Sequence, residues 1–338
     1  MDPRHILVIY PRRLGDLIVA TPFLRGLRAK WPRARMRLVA SWRNAPAAPL
    51  IPFIDETVTL GRPQDWSGHA KLLRDFMKAP AWDMAVDLNC VFSRTSSIFM
   101  WAARAEVGVG FDDPHRPRWL RRLYGRAVPN GGKREHMASR YRRLALSLEL
   151  PYLPEPECAV PPDALIQAER LAPALFDGRP GFNIIIHPGN FKHFGVRWPE
   201  ANYVTLSCRL LSSGRRDLRL CLLAGPGERE ACEKIAREIG QGITLLPEST
   251  LPGTAAMLSR ARLFVGSVTG TAHLAAAVGT PTFTFNSGYT YAVWRPLGER
   301  HAAINSGDWH SCREIGVDRA LDALWAHMDF LQAASRAS

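Results

Sequence analysis

The stretch "RLFVGSVTGTAHLAAAVGTPTFTFN", residues 262–286, decides the fold. It begins as a short apolar run, passes through a Gly/Ser/Thr turn, continues as an Ala-rich helix to Val278 and restarts as a β-rich run at 282–286. Strand, tight turn, helix and strand make a βαβ unit, the connection that parallel neighbours in a sheet require. A helix that starts directly from a strand leaves its first backbone N–H groups unpaired, with roughly half a unit of positive charge at that end. Such a turn suits an anion, and the hydroxyls of Thr269 and Thr271 add donors. It carries no acid, and Val268 occupies its centre.

The same alternation extends over the whole chain. Strand-like runs lie at 6–10, 36–40, 56–60, 84–88 and 105–109, and again at 183–187, 218–224, 243–246, 262–267 and 282–286, with helical stretches between most of them. Between the two sets, residues 149–164 hold five prolines and little periodicity, the composition of an interdomain linker. The expected architecture is α/β, with two Rossmann-like, doubly wound parallel-sheet domains at 1–155 and 165–316. The helical stretch 317–338 is expected to cross back onto the first domain. Doubly wound sheets bind ligands beyond the carboxyl ends of their strands, which places chemistry in the cleft where the two domains would face each other.

Composition narrows the partner. The 338 residues carry 44 Lys and Arg against 31 Asp and Glu, a net charge of +13, so an anionic partner is expected. Twelve of the basic residues and only four acids fall between Arg94 and Arg143, densest in "HRPRWLRRLYGR" (115–126). No zinc-finger spacing, RNP-like motif or helix-turn-helix pattern accompanies them, so nucleic acid is not expected. The six cysteines show no C-x-x-C spacing and read as buried or incidental thiols. No apolar run reaches the ~20 residues of a membrane span, and "HILVIY" ends too early for a signal peptide. The expected location is the cytoplasm.

Loops that follow strands carry the candidate chemistry. After the first strand, "PRRLGDLIVATPFLRGLRAKWP" (11–32) offers Gly15 for a tight turn and Asp16, which can cap the next helix. From a cleft-facing position the same carboxylate can remove a proton from an acceptor hydroxyl. In the second half, "IIIHPGNFKHFGVRWP" (184–199) ends a strand at His187, turns at Gly189 and presents Lys192 and Arg197, cations suited to a pyrophosphate. "AGPGEREACEKI" (224–235) brings backbone close to a ligand at Gly225 and places Glu228 to accept from ribose hydroxyls. His273 falls in the first turn of the helix that opens at 270. Neither domain's first strand is followed by G-x-G-x-x-G, which argues against a dinucleotide-dependent oxidoreductase.

In order and spacing, "LGDLIVATPFLRGLRAKWPRARM", "IIIHPGN…RWP", "LLAGPGE" and "FVGSVTGTAHLAAAVGTPT" resemble the ADP-heptose:lipopolysaccharide heptosyltransferases, glycosyltransferase family 9, inverting enzymes of the GT-B fold. The resemblance extends over nearly the whole chain. It implies that Asp16 is the general base, that Glu228 meets the ribose, and that Thr269, Gly270 and the neighbouring amides hold the diphosphate. His187, Gly189, Lys192, Arg197, Gly225, Val268, Thr271 and His273 complete the donor set that it implies. No metal or other cofactor is implied, since helix dipole and cations can hold the leaving nucleoside diphosphate. Arg12, Arg13, Arg94, Arg118, Arg121 and Arg122 are the candidate contacts to an anionic lipopolysaccharide core or similar lipid-linked acceptor, reached from the inner membrane surface. Family 9 chains that act on protein acceptors, or a weakened nucleotide- or glycan-binding relative, are the alternatives.

Two departures from the family pattern stand out. Val268 replaces an aspartate that the resemblance assigns to hydroxyls of the donor heptose, and Val196 stands where a lysine precedes Arg-Trp-Pro.

Overall fold

The computed structural model describes residues 2–62, 64–175, 181–189 and 197–337. They form two compact units, Met1–Ala159 and Val160–Ser338. The first contains β1 (His5–Tyr10), β2 (Arg35–Ser41), β3 (Glu56–Leu60), β4 (Met84–Asp87), β5 (Val107–Asp112) and β6 (Arg126–Pro129). The second contains β7 (Phe182–His187), β8 (Leu218–Leu222), β9 (Ile243–Leu245), β10 (Leu263–Ser267), β11 (Thr282–Asn286) and β12 (His301–Asn305). The strand orders are β3-β2-β1-β4-β5-β6 and β12-β11-β10-β7-β8-β9, and every pairing is parallel.

Each order is that of a doubly wound sheet. The chain builds outward from β1 to β2 and β3, then returns to the other side of β1 for β4, and it repeats the pattern from β7 to β8 and β9 before β10. The two switch points, β1/β4 and β7/β10, are where such sheets open a crevice at their carboxyl ends. Both first strands lie at the centre of their sheets, which is why "ILVI" and "III" are fully buried and read as continuous apolar runs.

After β1, Leu17, Ala20, Leu24 and Leu27 are buried along two successive helices, Leu14–Val19 and Thr21–Lys30. Pro22 sits in the first turn of the second, where its missing N–H would be unpaired in any case. The proline-rich segment from 149 is not a free linker. Arg25 holds it by an ion pair to Glu157 at 2.8 Å and a bond to the Leu153 carbonyl at 2.9 Å. Ala159 N–H donates to the Leu50 carbonyl at 2.9 Å, so the segment belongs to the first unit up to 159, and a helix, Pro162–Leu171, starts inside the expected linker.

The C-terminal helix Val317–Ala337 corrects an expectation. Its stripe of Ala320, Leu324, Met328 and Leu331 is buried in the core of the second unit with Phe283, Ile304 and Trp198, not on the first unit. Arg209 of the helix Glu200–Leu211 also pairs with its Asp318. An amphipathic pattern specifies that a face will be covered, and leaves open which sheet covers it. Among the described residues no helix is long and apolar enough to cross a membrane. All six cysteines are free thiols, and only Cys208 is exposed.

Candidate active site

At the first switch point, β1 ends in Tyr10, and Pro11, Arg12 and Arg13 lead into the helix Leu14–Val19. Arg13 occupies the N-cap position, so Asp16 lies within the first turn and does not cap. Its carboxylate turns back to the strand end, where the Tyr10 hydroxyl donates to Oδ2 at 3.2 Å. Burial pushes the Asp16 carboxyl above the usual range, while the Tyr10 hydrogen bond and the charges of Arg13 and Arg12 pull the other way. The product is a carboxylate of raised basicity beside two cations.

Asp16, Arg12 and Arg13 line a cavity of ≈ 630 Å³ together with Trp42, Arg43 and His69. The loop after β2 is fastened to that after β1: Asn44 Nδ2 donates to the Tyr10 carbonyl at 2.7 Å and Ser41 Oγ to the Arg12 carbonyl at 2.9 Å. Trp42 carries the guanidinium groups of Arg43 and Arg62 against its ring, at 4.9 and 5.3 Å from the centroid. Trp42 and Arg43 were not among the expected site residues. The signal for them was a Trp-Arg pair directly after a strand that adjoins the switch point.

The basic stretch 94–143 separates into two groups. Arg116 is buried with its Nη1 on the Phe111 carbonyl at 2.6 Å and its guanidinium stacked 3.6 Å from the Tyr124 ring. Arg126 and Arg140 donate to backbone carbonyls and Arg143 pairs with Glu135, so these four support the fold. Arg94, Arg118, Arg121 and Arg122 are exposed, on the helix Arg94–Ala103 and on or beside the short helix Arg118–Arg121. None of the four lines the Asp16 cavity, although Thr95 does.

At the second switch point, His187 ends β7 and pairs in register with Gly266 of β10. His187 is buried, and its Nε2 lies 3.1 Å from Glu228 Oε2, which also accepts the Gly225 N–H at 2.9 Å. A Cβ at Gly189 would stand 2.2 Å from the His187 ring, and one at Gly225 2.6 Å from Glu228 Oε2. These two glycines therefore let the loops close on the His187–Glu228 pair, a packing reason beside any approach to ligand. Glu228 occupies the N-cap position of the helix Arg229–Ile239 without capping through its side chain, and it presents a carboxylate at the mouth of the loop.

The turn after β10 has the expected form. Thr269 is the N-cap of the helix Gly270–Ala277, with extended backbone. Its side-chain oxygen is buried without a hydrogen-bond partner among the described residues. Val268, Thr269, Gly270 and Thr271 are partly exposed around the helix start, while His273 is buried with its ring 6.3 Å from that of Trp294. Arg197 is buried and ion-paired with Glu200. The next residue, Trp198, is fully buried, stacked 3.9 Å from Phe285 and donating Nε1 to the Ile315 carbonyl at 2.7 Å. Lys192 and Val196 lie outside the described residues.

The model of glycosyltransferase family 9 (heptosyltransferase) matches residues 71–318. The chain belongs to that family. It is similar to lipopolysaccharide heptosyltransferase 1 of Pseudomonas aeruginosa, at 27% identity over 309 residues, 86% of this chain and 82% of the relative. Among solved structures, a family 9 glycosyltransferase from Veillonella parvula superposes with a TM-score of 0.82 at 17% identity, covering 96% of this chain and 97% of the other. E. coli heptosyltransferase WaaC with ADP-2-deoxy-2-fluoro heptose gives 0.71 at 18% identity, covering 95% and 99%. The family 9 chain is thus a glycosyltransferase with the doubly wound, GT-B-like α/β fold expected of it. Its reaction class is the transfer of a sugar.

Proposed function

We propose that this family 9 enzyme is an inverting, metal-independent transferase that moves a heptose or related sugar from an ADP-sugar-type donor to a lipopolysaccharide core or similar acidic glycan. The observation that carries the reading is Asp16, a carboxylate made more basic by burial at the end of β1, in a cavity with Arg12 and Arg13. In the step it serves, the acceptor hydroxyl gives its proton to Asp16 and its oxygen attacks the anomeric carbon of the donor. The bond from that carbon to the diphosphate oxygen breaks, and one displacement inverts the configuration. The nucleoside diphosphate leaves with its charge facing the first turn of the helix Gly270–Ala277 and the unpartnered hydroxyl of Thr269. Glu228 supplies the acceptor oxygen for ribose hydroxyls, and Arg197 adds positive charge beside the pyrophosphate.

The identity of the donor sugar turns on residue 268. A carboxylate bonding sugar hydroxyls contributes about 1.5–3 kcal/mol per bond, and Val268 supplies none. This favours a second possibility, a sugar other than heptose on the same nucleotide. The bilayer surface that carries a lipid-linked acceptor is the partner we assign to exposed Arg118, Arg121 and Arg122.

Purified enzyme with ADP-heptose and a deacylated core acceptor, followed by release of ADP, tests the proposal. Asp16→Asn is expected to lower kcat by about 10²- to 10⁴-fold while ADP affinity holds, and a chelator is expected to leave turnover unchanged. Full transfer by Asp16→Asn would remove the general-base assignment. Tight binding of ADP with no affinity gained from the heptose would move the donor to another sugar.

A further inference from the structure

Behind Asp16 lies a pair of tyrosines that the reaction scheme has not used. Tyr10 is the last residue of β1 and is 3% exposed. Tyr141, on the helix Met137–Ser147, is fully buried, and its hydroxyl donates to the Leu88 carbonyl just past β4 at 3.4 Å. The edge of Phe111 packs 6.1 Å from the Tyr141 ring and fixes it from β5. The Tyr10 hydroxyl thus donates to Asp16 Oδ2, while that of Tyr141 is spent on the backbone after β4.

We propose that Tyr10 is a positioning residue that holds one oxygen of the Asp16 carboxylate so that the other is presented to the acceptor hydroxyl. A carboxylate in the first turn of a six-residue helix has rotamer freedom, and no other hydrogen bond from a described side chain restrains it. A neutral donor is the suitable restraint here. It orients the base at some cost in proton affinity, since the Tyr10 hydrogen bond is the largest of the effects that lower the Asp16 carboxyl against burial. The charged groups near Asp16 are all cationic: Arg12 and Arg13 from the turn, and Arg43, with the titratable His69, across the cavity. On the interior side, Tyr10 faces Tyr141 and the thiol of Cys90.

The inference rests on Asp16 as general base and is tested beside it. Tyr10→Phe removes the donor and keeps the ring. Without that bond the ionised carboxylate is less stable, so the acid limb of kcat/KM against pH moves upward by about one unit. Loss of orientation lowers kcat by roughly 3- to 30-fold, with the donor KM unchanged. Tyr141→Phe leaves the Tyr10–Asp16 bond in place and is expected to leave the limb where it is, while Tyr10→Leu removes the same donor and supplies the readout if Tyr10→Phe fails to fold. An acid limb that stays in place or moves down in a folded variant, while Asp16→Asn is inactive, overturns the positioning role alone. Activity in Asp16→Asn overturns the base and this role with it.

Discussion

The burial that makes Asp16 basic also costs the fold stability, and the sign of that cost is measurable. Its folded-state carboxyl is raised by burial, against about 4 in the unfolded chain. Below the unfolded value both states are protonated and the cost is absent. As pH rises from there through the folded value the unfolded chain releases its proton more readily, and above that value the cost is complete. Asp16→Asn keeps an oxygen for the Tyr10 hydroxyl and removes the charge. It is therefore expected to raise the melting temperature by a few degrees at pH 7.5, with the gain vanishing below about pH 4. Thermal unfolding of both proteins across that range decides it, and a variant that melts lower at pH 7.5 would show that the two arginines outweigh burial. At this scale the sequence was readable where chain order sets position. Asp16, Thr269 and Gly270 sit at strand ends because their distance from a strand is fixed. Tyr10 and Trp42 were not readable as partners, since what they touch is set by packing.

At the scale of elements, the loop after β4 shows how a site is held from behind. Asp87 is 1% exposed, and burial raises its carboxyl above the usual range. It accepts from the Tyr124 hydroxyl at 2.8 Å and from Asn89 Nδ2 at 2.6 Å, and Asn89 Nδ2 in turn reaches Ser96 Oγ at 2.8 Å. The β4–β5 and β5–β6 connections are thereby fixed to each other beside the switch point. Asp87→Ala removes the acceptor of the buried tyrosine hydroxyl and of the Asn89 backbone N–H and is expected to cost roughly 2–4 kcal/mol in denaturant unfolding. Asp87→Asn can rearrange the same bonds and is expected to stay within about 1 kcal/mol of the parent at neutral pH. Equal losses from the two substitutions would mean that the charge, and not the hydrogen bonding, holds the loops. The same scale explains which strands the sequence concealed. "RAVP" of β6 has one buried side chain, Val128, and a proline, and "HAAIN" of β12 has one, Ile304. Both are edge strands, covered too little to need an apolar run. The proline-rich segment after 149 misled in the other direction, because its clasp to Arg25 joins residues more than a hundred positions apart.

At the scale of the molecule, the charge of +13 is uneven in purpose as well as in place. Several arginines of the 94–143 stretch support backbone carbonyls, and three that are exposed flank one unusual side chain. Trp119 is 66% exposed on the short helix Arg118–Arg121, with Leu120 turned into the core and Arg118, Arg121 and Arg122 exposed beside it. An indole among cations matches the headgroup region of an anionic bilayer, where each arginine contributes about 1 kcal/mol and the ring settles at the interface. Vesicles of phosphatidylcholine with roughly a third phosphatidylglycerol are expected to sediment the enzyme at low salt, and neutral vesicles are not. Trp119→Ala is expected to weaken the partition by about 3- to 10-fold, and reversal of the three arginines to glutamate by roughly 100-fold or more. Because none of these four side chains lines the Asp16 cavity, both variants should keep the parent kcat on a soluble, deacylated acceptor. Loss of activity on that acceptor would instead make the cluster part of acceptor recognition. Unchanged sedimentation would leave the bilayer without a contact on this helix.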